Sequence, residues 1–220
     1  LLIQDGVFLK HLREVCTREG ILLLFDEVIS GFRVGFEGAS GYYGIQPDVV
    51  AFGKIIGGGM PVGAYGSTAE VMSHVAPEGP VYQAGTLSGN PVAMAAGAAQ
   101  LKACLQPGFY ERLNEMTESL CSQVQAHADV KGYVFRMFHV GSIFWVSFSK
   151  EKAVRRMDEI PENSGKLFAP FHHFLLEKGV YLGPSGYEVG FVSHAHSNED
   201  MAYAAKAFCE ALDYTFSQNQ

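Results

Sequence analysis

No apolar run in these 220 residues approaches the ~20 residues that a membrane-spanning helix needs. Nor is there an excess of positive charge. The 23 acidic and 16 basic side chains leave a formal charge of -7, which argues against a nucleic-acid footprint. Cysteine is sparse as well: Cys16, Cys104, Cys121 and Cys209 are far apart and form no Cys-x-x-Cys pair. They read as buried or incidental thiols, not as a disulfide framework or a zinc site, and they point to a reducing, cytoplasmic compartment by default, a plastid being the other compartment compatible with the sequence. Internal repeats and low-complexity tracts are missing. The chain opens without Met, inside an apolar stretch, and has neither the basic segment nor the cleavage site of a signal peptide. That opening suggests the C-terminal part of something longer. What is present is ample material for a core, 48% hydrophobic residues, enough for one or two compact domains.

The patterning alternates between helix and strand. Asp5 is placed to cap a helix over residues 7–19, which Gly20 stops. Residues 21–25, Ile-Leu-Leu-Leu-Phe, read as a strand of a parallel sheet with both faces covered. Residues 49–52 and 62–65 are further short strands between glycine turns. Asn90-Pro91 starts an Ala-rich helix to about residue 105. Alternation of this kind predicts an open α/β sheet with ligands at the carboxyl ends of its strands. After Pro107-Gly108 the character changes. An amphipathic helix is expected over 109–127, strands over 130–138 and 143–148, and a polar loop over 150–165. A helix over 167–178, short strands near Val180 and Val189, and a last helix capped by Ser197 and Asp200 complete the reading. This second part suits a smaller α+β domain.

Two residues carry chemistry at strand ends. The apolar run ending at Phe25 delivers Asp26, and the run Val49-Val-Ala-Phe52 delivers Lys54 through a single glycine. A strand-end aspartate alone is most often structural, and a lysine after a strand is most often a solvated surface group. Together they form a more specific pair. A lysine amine that forms a Schiff base and a carboxylate that pairs with a pyridinium nitrogen are what pyridoxal phosphate chemistry needs. Four apolar residues before Asp26-Glu27 also match the magnesium-binding strand of nucleotide hydrolases. That alternative needs a Gly-x-x-x-x-Gly-Lys-Ser/Thr loop, and Gly53-Lys54 is followed instead by Ile55.

Residues 82–91, Tyr-Gln-Ala-Gly-Thr-Leu-Ser-Gly-Asn-Pro, offer hydroxyls and amides before a helix N-terminus, a place for phosphate or simply a cap. The histidines His172, His173, His194 and His196 have no acid or cysteine at ligand spacing beside them, so no metal site is expected. Glu188 follows a Gly-Pro-Ser-Gly turn and is either a functional acid or an ordinary rim residue.

Three segments carry a family resemblance: Leu24-Phe-Asp-Glu-Val-Ile-Ser-Gly-Phe-Arg33, Gly53-Lys-Ile-Ile-Gly-Gly-Gly-Met-Pro-Val-Gly63 and Gly79-Pro-Val-Tyr-Gln-Ala-Gly-Thr-Leu-Ser-Gly-Asn-Pro91. They resemble the glutamate-1-semialdehyde 2,1-aminomutases, members of the class-III aminotransferase family. The first two fit many class-III enzymes, and the third tilts the likeness to the aminomutases. The resemblance continues to Gly183-Pro-Ser-Gly-Tyr-Glu-Val-Gly190 and beyond. It implies a fold-type I, pyridoxal-phosphate-dependent transferase, with residues 1–106 in the large domain's mixed α/β sheet and 107–220 forming a small α+β domain. It implies that Asp26 pairs with the pyridine nitrogen, that Val28 packs under the ring and that Lys54 is the Schiff-base lysine and proton carrier. Gly85 and Thr86 would hold the cofactor phosphate across a homodimer interface, and Glu188 would lie near the substrate. The implied reaction is conversion of glutamate 1-semialdehyde to 5-aminolevulinate for tetrapyrrole synthesis, with pyridoxamine phosphate as the other cofactor form. The alternatives are another class-III aminotransferase or a non-catalytic fragment of one. The family's N-terminal half, with its glycine-serine phosphate loop and gating loop, has no counterpart here and would be a partner. No nucleic acid or membrane partner is implied.

Overall fold

Asp5 is extended and its carboxylate accepts the Val7 N–H at 2.8 Å, so α1 (Gly6–Glu19) begins where a side-chain oxygen satisfies an otherwise unpaired amide. Its end uses Gly20 in the left-handed region, with the Ile21 N–H reaching back to the Cys16 carbonyl at 2.8 Å. The computed structural model describes residues 1–218. The chain divides into an N-terminal unit, Gln4–Phe109, and a C-terminal unit from Tyr110 onward that also takes in Leu1–Ile3.

In the N-terminal unit β1 (Leu24–Glu27), β2 (Val49–Phe52) and β3 (Ala64–Ser67) form a sheet in that order. β1 runs parallel to β2, and β3 is antiparallel to it. The sheet is therefore mixed, within an α/β architecture.

Two expectations need correction. The first strand starts at Leu24, not at residue 21, because Ile21 is used in closing α1. Leu23 is also pinned to Asp48: its N–H donates to Asp48 Oδ2 at 2.7 Å, and its carbonyl accepts the Asp48 N–H at 2.8 Å. The run 21–25 is also not covered on both faces. β1 is an edge strand, and Ile21, Leu22 and Leu24 are 54%, 58% and 56% exposed. The third strand likewise begins at Ala64, two residues later than its composition suggests.

Short helices α2 (Gly38–Tyr43) and α3 (Ala69–Met72) follow β1 and β3. α4 (Pro91–Cys104) has the predicted cap, with Asn90 Oδ1 accepting the Ala93 N–H at 2.9 Å. A small apolar cluster of Cys16, Leu23 and Ile45, with Leu9, Leu12, Phe25 and Tyr43 packed against it, joins α1 to the sheet.

The C-terminal unit holds α5 (Phe109–Lys131), the antiparallel sheet β4 (Arg136–Val140), β5 (Ile143–Ser147) and β6 (Gly190–Phe191), and helices α6 (Ser164–Glu177) and α7 (Asn198–Ser217). The strand expected from residue 130 begins only at Arg136, since α5 continues to Lys131 and Gly132 (φ 70°) ends it. Val180 is not in a strand. Its N–H donates to the Leu175 carbonyl at 2.8 Å, and the Gly179 N–H donates to that of Leu176 at 3.0 Å, which closes α6. The Ser197–Asp200 capping box is as predicted. Phe135, Trp145, Phe148, Phe171 and Phe208 are each 2% exposed or less, and within this group Phe148 meets Phe171 edge-on at 5.7 Å and Phe171 meets Phe208 edge-on at 5.6 Å. Buried Thr117 and Thr215 satisfy their hydroxyls on carbonyls one helical turn back, each at 2.7 Å.

Candidate active site

Parallel pairing of β1 with β2 sets Asp26 opposite Ala51 and Glu27 opposite Phe52, so both strands end at one level. Asp26 is exposed there, and its Oδ1 accepts the Val28 N–H at 3.0 Å, which fixes the carboxylate at the turn out of the strand. Lys54 lies two residues beyond β2. It opens a 3₁₀ turn, Lys54–Gly57, with φ 47°, in the left-handed region where a residue with a β-carbon loses ~1–2 kcal/mol. Its side chain is exposed, and among the described residues no ion pair engages it.

Neighbours hold that strained turn in place. A β-carbon at Gly97 of α4 would overlap the Ile56 carbonyl, so only glycine lets the helix lie this close to the turn. Val28 closes the space between the two strand ends: a β-carbon at Gly53 would stand 3.2 Å from its Cγ1. Asp26 at the end of β1 and Lys54 just beyond the end of β2 are thus exposed, while Val28 packs on the buried Gly53 that precedes the lysine.

The second acid of the Asp26-Glu27 pair does different work, and sequence reasoning passed over it. Successive strand residues face opposite ways. Glu27 is 1% exposed, and its carboxylate accepts the Ala39 N–H at 2.9 Å, the Ser40 N–H at 2.8 Å, the Ser40 hydroxyl at 2.8 Å and the Ser30 hydroxyl at 2.5 Å. It clasps the start of α2 to the end of β1. Gly38 (φ 63°) is required beside it, because a β-carbon there would stand 2.5 Å from Glu27 Oε2. Asp48 is a second anchor the sequence did not announce. The Leu23 N–H, and then the Arg13 guanidinium at 2.6 Å, hold its carboxyl below the usual aspartate range.

Gly85 and Thr86 lie in an exposed loop whose Ser88 N–H donates to the Gly85 carbonyl at 2.9 Å. Gly85 lines an open depression of about 510 Å³ with Pro61, Val62, Gly63, Ser88 and Met94, among others, which puts this loop beside the segment following the lysine turn. Glu188 belongs to the C-terminal unit. Its N–H donates to the Ser185 carbonyl at 2.9 Å, and its side chain lies against Gly183. His172 donates through Nε2 to the Leu182 carbonyl at 3.1 Å, and His196 Nδ1 accepts the Ser193 N–H at 3.0 Å. Among the described residues no group of three His, Cys, Asp or Glu side chains is arranged to hold a metal ion, and no helix is long and apolar enough to cross a membrane.

Residues 1–212 match the family model for class-III aminotransferases. The chain belongs to the class-III aminotransferase family. An omega-transaminase from Sphaerobacter thermophilus is 32% identical with a TM-score of 0.88, over 96% of this chain and 48% of that one. A transaminase solved with pyridoxal phosphate bound is 29% identical (TM-score 0.87, 99% and 50%). A glutamate-1-semialdehyde aminomutase from Pseudomonas aeruginosa, solved with pyridoxamine phosphate, is 23% identical (TM-score 0.83, 97% and 49%), a likeness of fold alone. This class-III aminotransferase chain therefore spans about half the length of the structures it matches. The family resemblance expected from the motifs holds. The tilt toward the aminomutases is not echoed in these identities.

Proposed function

We propose that this chain carries the lysine-bearing part of an enzyme that transfers amino groups with pyridoxal 5'-phosphate, cycling through pyridoxamine 5'-phosphate. The observation that carries the reading is the placement of Asp26 and Lys54 on adjacent ends of two parallel strands. The residues present fit such a cofactor: an exposed carboxylate, an exposed amine in a strained turn, and a strip between them narrowed by Val28 over Gly53.

When bound, pyridoxal phosphate supplies an electron sink for the bonds at the carbon carrying the amine. The chain's own residues do the rest. The Asp26 carboxylate, oriented by the Val28 N–H, keeps a proton on the ring nitrogen. Val28, packed against Gly53, would narrow the space beside the cofactor ring. Lys54 Nζ would hold the cofactor and would carry a proton between carbons of the reacting molecules. Gly85 and Thr86 bind phosphate, that of a second copy in a homodimer, and Glu188 contributes to the substrate side.

Exchange of an amine between two separate small molecules is the reaction favoured by the 32% likeness to an omega-transaminase. A second reading, intramolecular conversion of glutamate 1-semialdehyde to 5-aminolevulinate in tetrapyrrole synthesis, is favoured by the Gly79–Pro91 string. The intact enzyme should form product only when both an amine donor and a keto acceptor are supplied, and Lys54→Ala should form none. Product from glutamate 1-semialdehyde with no donor added would select the second reading. Normal turnover by Lys54→Ala would sink both.

Two partners follow from the exposed apolar side chains. Leu22 and Leu24, on and beside the free edge of β1, suit further strands of the same fold, and Tyr82, Leu87 and Met94 suit a second copy.

A further inference from the structure

Among the described residues, the two with a positive φ that are not glycine are Phe32 (58°) and Lys54 (47°). A residue with a β-carbon stays in that region only where its surroundings impose it. The surroundings of the first lead to the second.

The turn out of β1 lies over the last residues of β2. The Gly31 N–H donates to the Glu27 carbonyl at 2.9 Å, and a β-carbon at Gly31 would stand 2.8 Å from Phe52 Cδ1, so the turn meets the Phe52 ring with no side chain between them. The Phe32 ring packs on the same ring, with centroids 5.4 Å apart, and Phe36 meets Phe32 edge-on at 5.2 Å. Val28 packs on Gly53. Residues 28–32 therefore cover Phe52 and Gly53 just before the chain reaches Lys54.

α4 meets the lysine turn on its other side, and this contact is backbone on backbone in both directions. A β-carbon at Gly97 would overlap the Ile56 carbonyl, and one at Gly58 (φ 56°) would overlap the Ala96 carbonyl. Gly57 and Gly97 are both buried there. No flexible side chain cushions the seat, so a shift of α4 passes directly into the turn that Lys54 opens.

We propose that Phe32 and Gly97 are positioning residues for Lys54, gripping its turn from opposite ends so that the amine keeps one line of approach to the cofactor. The inference rests on the reading of Lys54 as the cofactor lysine, and it adds that two segments remote in sequence impose the setting of that lysine. Neither residue touches the reacting atoms.

Reduction of the full chain with pyridoxal phosphate and borohydride gives the yield of pyridoxyl group on Lys54 relative to the other exposed lysines. Gly97→Ala and Phe32→Ala should each lower that ratio by about tenfold or more, as a misplacement approaching 1 Å does to a reacting group. The Ser40 amide, bonded to Glu27 at 2.8 Å, should stay protected from hydrogen exchange in both, which shows that the unit is folded. The Gly58 amide, which donates to the Ile55 carbonyl at 3.0 Å, should exchange faster in both, a readout independent of the cofactor. Phe32→Leu keeps an apolar group on Phe52 and should restore most of the ratio. Ala99→Ser, at an exposed position of α4, should change nothing. A ratio unchanged in Gly97→Ala and Phe32→Ala would overturn the proposal and leave Lys54 as the cofactor lysine. A ratio that falls only together with Ser40 protection would also overturn it, since the two residues would then serve the fold alone. No preference for Lys54 in the wild type would overturn the amino-transfer reading and the proposal with it, whatever the Gly58 amide does.

Discussion

The two units of this chain spend their apolar residues differently. Among the described residues, the deeply buried apolar side chains of the N-terminal unit are Cys16, Leu23, Ile45, Ala93 and Cys104, all small or medium in size. The large buried rings, Phe135, Phe144, Trp145, Phe148, Phe168, Phe171 and Phe208, all lie in the C-terminal unit. In the N-terminal unit Phe8, Ile21, Leu22, Leu24, Tyr82 and Leu87 are more than half exposed. The unit that carries Asp26 and Lys54 is thus held by helix caps, the buried Glu27 carboxylate, the part-buried Asp48, glycine contacts and one small apolar cluster, and much of its apolar surface is exposed. The C-terminal unit closes its own core. Among the described residues β1 has no strand on its outer side, and the chain spans about half the length of the structures it matches.

Substitutions sharpen or break that contrast. Phe171→Ala should lower the stability of the C-terminal unit by about 3–5 kcal/mol, read by denaturant unfolding through Trp145 fluorescence. The matched truncation Leu24→Ala, on the free edge of β1, should change stability by less than ~0.5 kcal/mol. Comparable losses from the two would break the comparison. Glu27→Ala should cost about 3 kcal/mol, because it strands the Ala39 and Ser40 amides and two serine hydroxyls. Hydrogen exchange should show loss of protection at Ser40 in that variant and none in β5.

Gly97→Ala should cost about 1–3 kcal/mol as its methyl pushes on the Ile56 carbonyl, and it should lower the reactivity of Lys54 while the C-terminal unit unfolds as before.

The smallest effect is one of pH and belongs to the C-terminal unit. Burial resists ionisation of Asp213, but hydrogen bonds from His127 and Tyr133, both at 2.8 Å, outweigh it and hold the carboxyl below its ordinary 3.8. A depressed carboxyl contributes stability that is present above pH 3.8 and lost as pH falls through its lowered value. Asp213→Asn should therefore be less stable than wild type at neutral pH, and the two stability curves should converge in acid. Curves that stay parallel down to the lowest pH would remove Asp213 from the account.

The legible parts of the sequence were those written in local chemistry. Asp5, Asn90 and Ser197 announced three helix starts, and all three caps are in place. The Asp26 and Lys54 pair was legible because each follows a short β-run, and pairing of those runs brings their ends together. The edges of elements were hidden where a distant or adjoining group overrides the pattern. The run from Ile21 reads as one strand, yet Ile21 closes α1 and Leu23 answers to Asp48, 25 residues away. Val180 likewise completes α6. Glu27 was invisible as a clasp, since its partners at residues 39 and 40 lie on a helix that six residues of Gly, Ala, Ser and Tyr do not advertise. The positive φ of Lys54 has no signal in its own segment, and the close approach of α4 to the turn it opens is written only in Gly97.

Borohydride reduction of the full chain with pyridoxal phosphate, followed by peptide mass mapping, tests the central claim most directly. A pyridoxyl group found on Lys54 in preference to the other exposed lysines is the result predicted here. Labelling spread over the lysines by exposure alone, on folded protein, would contradict the assignment of Lys54 as the cofactor lysine.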